Sequence, residues 1–95
     1  MEKRKYFDII YDPDIGNHLK YIENKHYSYI RKTIKINLKY EPIKEAINRK
    51  PLLRPSILES AWELRCGPNN IFRIFYKTDL QLMEVYILAI GIKER

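Results

Sequence analysis

The 95-residue sequence is poor in the residues that staple or break a chain, with one cysteine, three glycines and five prolines. Cys66, alone, closes no intramolecular disulfide and belongs to no CxxC or Cys/His ligand set, which excludes a stapled secreted scaffold and a zinc module. No apolar run approaches the roughly 18 to 20 residues that cross a bilayer, so no membrane partner is expected. The charged start (Met1, Glu2, Lys3, Arg4, Lys5) leads into strand-like sequence rather than an apolar signal core, and the expected compartment is the cytoplasm. Repeats, linkers and low-complexity stretches are missing as well, which leaves one domain over residues 1–95. A chain of this size buries only about two thirds of its unfolded surface and has no room for a deep private pocket. Its function is therefore expected on the surface or in a shallow cleft, with neither metal nor other cofactor.

Acidic charge is also scarce. Eighteen Lys and Arg face twelve Asp and Glu, a net charge of +6. Between Lys25 and Arg54 stand nine basic residues and two acidic ones, a local balance of +7; the remaining nine basic and ten acidic residues sum to −1. The excess is thus one segment, suited to a polyanion or an acidic protein.

The hydrophobic period changes along the chain in an ordered way. Lys5 to Tyr11 is aromatic and β-branched and reads as a strand. Asp12 then reads as a helix N-cap with Pro13 at the first helical position, and Ile15, Leu19 and Ile22 carry a helix to about Asn24. His18, beside that stripe, reads as a half-buried packing residue. A second helix over Tyr27 to Tyr40 has three faces: Tyr27, Ile30, Ile34 and Leu38 for the core; Arg31, Lys32, Lys35 and Lys39 outward; Tyr29, Ile36 and Tyr40 between. Glu41-Pro42 ends it. The stretch from Pro42 to Ser60 is weakly periodic and is expected to hold a turn of helix near Ile43 to Asn48 and then an ordered loop. Strands follow at Ala61 to Cys66, Ile71 to Thr78 and Met83 to Gly91, joined by hairpin connections. The order β-α-α-β-β-β predicts an α+β domain with two helices packed on one face of a small, mostly antiparallel sheet.

The first hairpin has a readable register. Pairing Leu64 with Ile74 and Trp62 with Tyr76 buries both apolar sets together, and it places Arg65 opposite Arg73 and Glu63 opposite Phe75 on the other face. Like charges in direct opposition cost about 0.2 to 1 kcal/mol. Either an anion between the two guanidinium groups offsets this, a phosphodiester being a natural bidentate ligand, or Glu63 does.

The run Trp62-Glu63-Leu64-Arg65-Cys66-Gly67, then Phe72-Arg73-Ile74-Phe75-Tyr76, then Val85-Tyr86-Ile87-Leu88-Ala89-Ile90-Gly91-Ile92-Lys93 resembles the C-terminal half of the RelE/ParE superfamily of toxins from type II toxin–antitoxin systems. Lys50-Pro51-Leu52-Leu53-Arg54-Pro55 is similar to that family's basic loop. The resemblance implies a cytoplasmic toxin with a cognate antitoxin as partner. In the RelE-like branch such a toxin enters the ribosome and cuts mRNA without a metal, which requires a proton acceptor for the 2′-hydroxyl, cations for the charge building on the phosphate and a proton donor for the leaving oxygen. By resemblance, Arg73 stabilises the phosphate, Lys93 is the basic residue after the last strand, Arg65 closes the preceding strand, and Glu63 is a candidate proton acceptor. Arg31, Lys35 and Lys39 of the helix and Lys50 and Arg54 of the loop are expected to grip ribosomal RNA. Two departures count against the nuclease reading: Ala61 and Glu63 stand where RelE-like nucleases often have lysines, and no Tyr or His follows the last strand. The alternatives are a ParE-like toxin that inhibits DNA gyrase by binding, and a catalytically inactive member that only binds its antitoxin.

Overall fold

The computed structural model describes residues 5–52 and 60–93. Five strands form one sheet in the order β1-β5-β4-β3-β2, where β1 is Asp8–Tyr11, β2 Arg49–Pro51, β3 Trp62–Cys66, β4 Phe72–Asp79 and β5 Glu84–Ile92. Helices α1 (Ile15–Leu19) and α2 (Tyr27–Leu38) pack on one face. All pairings are antiparallel except that of β1 with β5. The expected α+β architecture is thus present, with one strand more than the sequence suggested.

The core follows from alternation. Leu64 and Cys66 on β3, Phe72, Ile74 and Tyr76 on β4, and Val85, Ile87 and Ile90 on β5 are buried with Ile30, Ile34 and Leu38 of α2. A β-bulge shifts the register from Phe75↔Ala89 to Tyr76↔Ile87, so Leu88 is the extra residue and the alternation of β5 resets there. The first hairpin has the register read from the sequence, with Trp62↔Tyr76, Leu64↔Ile74, Glu63↔Phe75 and Arg65↔Arg73 all in place.

Three local expectations are corrected. Asp12 does not cap α1 directly: its Oδ1 accepts the Asp14 N–H at 2.9 Å, Pro13 lies in that turn, and the helix starts at Ile15. The helix also ends at Leu19 rather than near Asn24, because the Tyr27 hydroxyl donates to the Leu19 carbonyl at 2.6 Å and Ile22 turns into the core. Asn24–His26 form a separate 3-10 turn leading into α2. The expected turn of helix over Ile43 to Asn48 is not there; Ala46 and Arg49 bond across a tight turn and the chain enters β2. That strand escapes a hydrophobic pattern because it is an edge, built of Arg, Lys and a proline that lacks a backbone donor.

Gly67, between β3 and β4, has φ of +85°, and a Cβ there would lie 2.6 Å from Cδ2 of buried Phe72. Gly67→Ala is expected to destabilise the fold by about 1 to 3 kcal/mol, read as a lowered urea midpoint with unchanged slope. Cys66 is buried, and burial pushes its thiol up from 9.0 to about 11. The folded chain therefore holds this proton more tightly than the unfolded one, and the stabilisation is lost as pH rises from about 9 to 11, by up to about 2 to 3 kcal/mol. Burial raises the Tyr76 hydroxyl in the same direction. A urea midpoint that falls between pH 8 and 10.5, and falls less steeply in Cys66→Ala, checks this.

Candidate functional site

The sheet face away from α2 is where charge gathers. Cross-strand pairing sets Lys50 beside Glu63 and Glu63 beside Phe75, while the next rung sets Arg65 beside Arg73 and Arg73 beside Gly91. The Glu63 side chain is only 8% exposed; its Oε1 accepts from Arg65 Nε at 2.5 Å, and its Oε2 lies 3.9 Å from Arg73 Nη1. Both guanidinium groups thus turn to the same side, with the chain's own carboxylate reaching both, and two positive charges against one negative leave the triad at +1.

The two arginines are not equivalent. Arg65 is the more tightly held, because a short charged hydrogen bond fixes its Nε. Arg73 touches Glu63 at ion-pair distance, too far for a hydrogen bond, and its Nε is buried with no hydrogen-bond partner among the described residues. Arg49 Nε is buried and unmet in the same way, so this atom does not mark a ligand site; what an anion can reach is the rest of the Arg73 side chain, which is 31% exposed. Lys93 is exposed one residue past β5; its backbone N–H donates to the Ile71 carbonyl at 2.7 Å, which extends the ladder next to Arg73. Among the described residues no three His, Cys, Asp or Glu side chains come together in a metal-holding group.

The remaining basic residues divide among three places. Arg31, Lys35 and Lys39 line a shallow groove against Tyr6, Ile9 and Tyr11, in the helix layer rather than on the charged sheet face. Lys39 Nζ lies over the rings of Tyr6 and Tyr40, at 5.1 and 5.5 Å from their centroids. Lys50, grouped by sequence with the helix stripe, instead shares the face of the arginines. Arg54 lies outside the described residues. Arg49, one of the nine basic residues in the segment of excess charge, is half-buried and donates from Nη1 to the carbonyls of Asn37 (2.6 Å) and Glu41 (2.8 Å) at the end of α2. It is a clamp on the helix C-terminus, where carbonyls are unmet and the dipole favours a cation. Alternation puts Arg49 and Lys50 on opposite faces, a signal open to sequence only once the edge strand is recognised.

No protein-family model and no curated protein matches this sequence. Solved structures do. A chain of the toxin–antitoxin complex RelBE2 from Mycobacterium tuberculosis superposes with a TM-score of 0.68 at 17% identity, over 93% of this chain and 99% of that one. A chain of the archaeal RelE–RelB complex from Pyrococcus horikoshii gives 0.62 at 18% identity, over 94% and 97%. The chain has the RelE fold. On this RelE-like scaffold the Glu63–Arg65–Arg73 triad occupies the central strands, and the basic helix α2 backs the opposite face. No helix among the described residues is long and apolar enough to cross a membrane.

Proposed function

We propose that this chain is the toxin of a type II toxin–antitoxin system and acts in the cytoplasm as a RelE-like endoribonuclease that cuts mRNA on the ribosome. The observation that carries the reading is the opposed pair Arg65 and Arg73 on one open sheet face, with the Arg73 side chain partly exposed and held by Glu63 only at ion-pair distance. In such a cleavage the 2′-oxygen attacks the adjacent phosphorus and the bond to the 5′-oxygen breaks, giving a 2′,3′-cyclic phosphate and a 5′-hydroxyl. The 2′-hydroxyl proton leaves to a base, and the departing oxygen takes one up. Negative charge grows on the non-bridging oxygens meanwhile, and a preorganised guanidinium aimed at them stabilises the transition state more than the ground state. Arg73 supplies that group. Glu63 holds Arg65 in place beside it, and Lys50 and Lys93 raise the local positive potential. Arg31, Lys35 and Lys39 on the opposite side hold ribosomal RNA phosphates, so the two basic regions face different partners.

The two solved structures described above come from toxin–antitoxin complexes, which supports a cognate antitoxin as the second partner. An antitoxin tail with acidic and apolar residues fits the groove between α1 and α2, whose floor is Ile15, Leu19, Ile30 and Ile34 and whose rim carries Arg31.

A second reading rests on one feature: Glu63 already partly neutralises the arginine pair, which suits a toxin that acts by binding, such as a gyrase inhibitor, or an inactive antitoxin-binding member. Purified protein added to a translating extract separates the three. Cleaved mRNA with unaffected gyrase supercoiling is the expected result; blocked supercoiling with intact mRNA establishes the second reading, and neither effect leaves antitoxin binding alone.

A further inference from the structure

Next to the arginine pair the same sheet face changes character. Going from β4 to β5, Arg73 gives way to its partner Gly91 and Phe75 to its partner Ala89, so bulky side chains face a strand with almost none. A Cβ at Gly91 would meet nothing within 4 Å. The result is a groove of about 540 Å³ floored by Phe75, Ala89 and Gly91 and walled by His18 and Tyr21, from α1 and the turn after it. The wall is fixed to the floor: His18 Nδ1 accepts the Ile90 N–H at 3.1 Å, and its Nε2 lies 3.4 Å from Asp14 Oδ2. Tyr21 is 84% exposed, a large ring at a groove edge and packed little by its own chain.

Charge selects the occupant. An apolar peptide gains nothing from Arg65, Arg73 and Lys50 on the adjoining rungs, whereas a nucleotide carries a phosphate for the arginines and a planar ring one sugar away. The floor at Gly91 is one strand spacing from Arg73, about 5 Å. We propose that this groove receives the nucleobase of the nucleotide whose phosphate sits on Arg65 and Arg73, stacked on Tyr21 and Phe75. Flat aromatic platforms bind bases in this way with little sequence preference, while neighbouring cations hold the backbone. The inference rests on the anion-site reading above and adds the base-binding half of the site.

The test uses the full chain and a deoxyadenosine dinucleotide, which lacks the 2′-hydroxyl and is not cleaved, against its two singly abasic analogues, followed by NMR titration. The dinucleotide should shift the Ala89 and Gly91 amide resonances and bind about tenfold more tightly than the weaker abasic analogue. Tyr21→Ala, at an exposed position, should remove that difference and leave the abasic affinity unchanged. Equal affinities for all three compounds, with Ala89 and Gly91 unmoved and binding lost in Arg73→Ala, overturn the base groove and leave the phosphate site standing. No binding by any of the three overturns the phosphate site and the groove with it.

Discussion

Replacing Arg73 with alanine is expected to lower mRNA cleavage by about 10²- to 10³-fold, the loss seen when one preorganised donor to a developing oxyanion is removed. Stability should change by less than about 1 kcal/mol, because Glu63 keeps its hydrogen bond to Arg65 and no described hydrogen bond is broken. Arg65→Ala should behave differently. It strips Glu63, 8% exposed, of its short partner, so a carboxylate is left buried beside a single cation at 3.9 Å. That variant should lose about 1 to 3 kcal/mol of stability as well as activity. Measuring cleavage in a translating extract and urea unfolding on both proteins distinguishes the roles. Full cleavage by the Arg73→Ala protein would remove Arg73 from the mechanism and with it the argument for this face.

The largest expected loss of stability from a charged residue is at Arg49. Arg49→Met keeps much of the apolar stem and removes the two donations to the Asn37 and Glu41 carbonyls that close α2. Hydrogen bonds from a charged donor contribute about 1.5 to 3 kcal/mol, so a loss of about 3 kcal/mol is expected, a large share of the about 5 to 15 kcal/mol that holds a domain together. Arg49→Lys should recover only part, since an ammonium on a flexible stem does not reproduce the planar fork. By contrast Lys50→Met, one residue along on the opposite face, should leave the midpoint within about 0.5 kcal/mol and weaken RNA binding instead. Urea midpoints for the three variants check the contrast. Equal midpoints for Arg49→Met and Lys50→Met would mean that the clamp contributes nothing.

These neighbours show where a sequence reading stops. The hairpin register was legible because Trp62, Leu64, Ile74 and Tyr76 must be buried together, and a slip of one residue would expose all of them. The three faces of α2 were legible for the same reason: Ile30, Ile34 and Leu38 are buried, and Arg31, Lys32 and Lys35 are exposed. The edge strand at Arg49–Pro51 was not, since a strand held by backbone pairing and by one arginine clamp has no apolar alternation to display. The early end of α1 was hidden too, because Tyr27 reaches back eight residues to take the Leu19 carbonyl.

The sequence by itself determined the α+β class, the burial faces, the opposition of Arg65 to Arg73 and the confinement of positive charge to one segment, because each follows from local period and side-chain type. Only the tertiary structure decided how that charge is used. It spent Arg49 on a helix end, moved Lys50 to the arginine face, kept Arg31, Lys35 and Lys39 in the helix layer, and let Glu63 bind one arginine closely and the other loosely. Those outcomes depend on which strands lie side by side and which backbone carbonyls are left unmet. Chain-distant pairing sets both, and no window of sequence contains them.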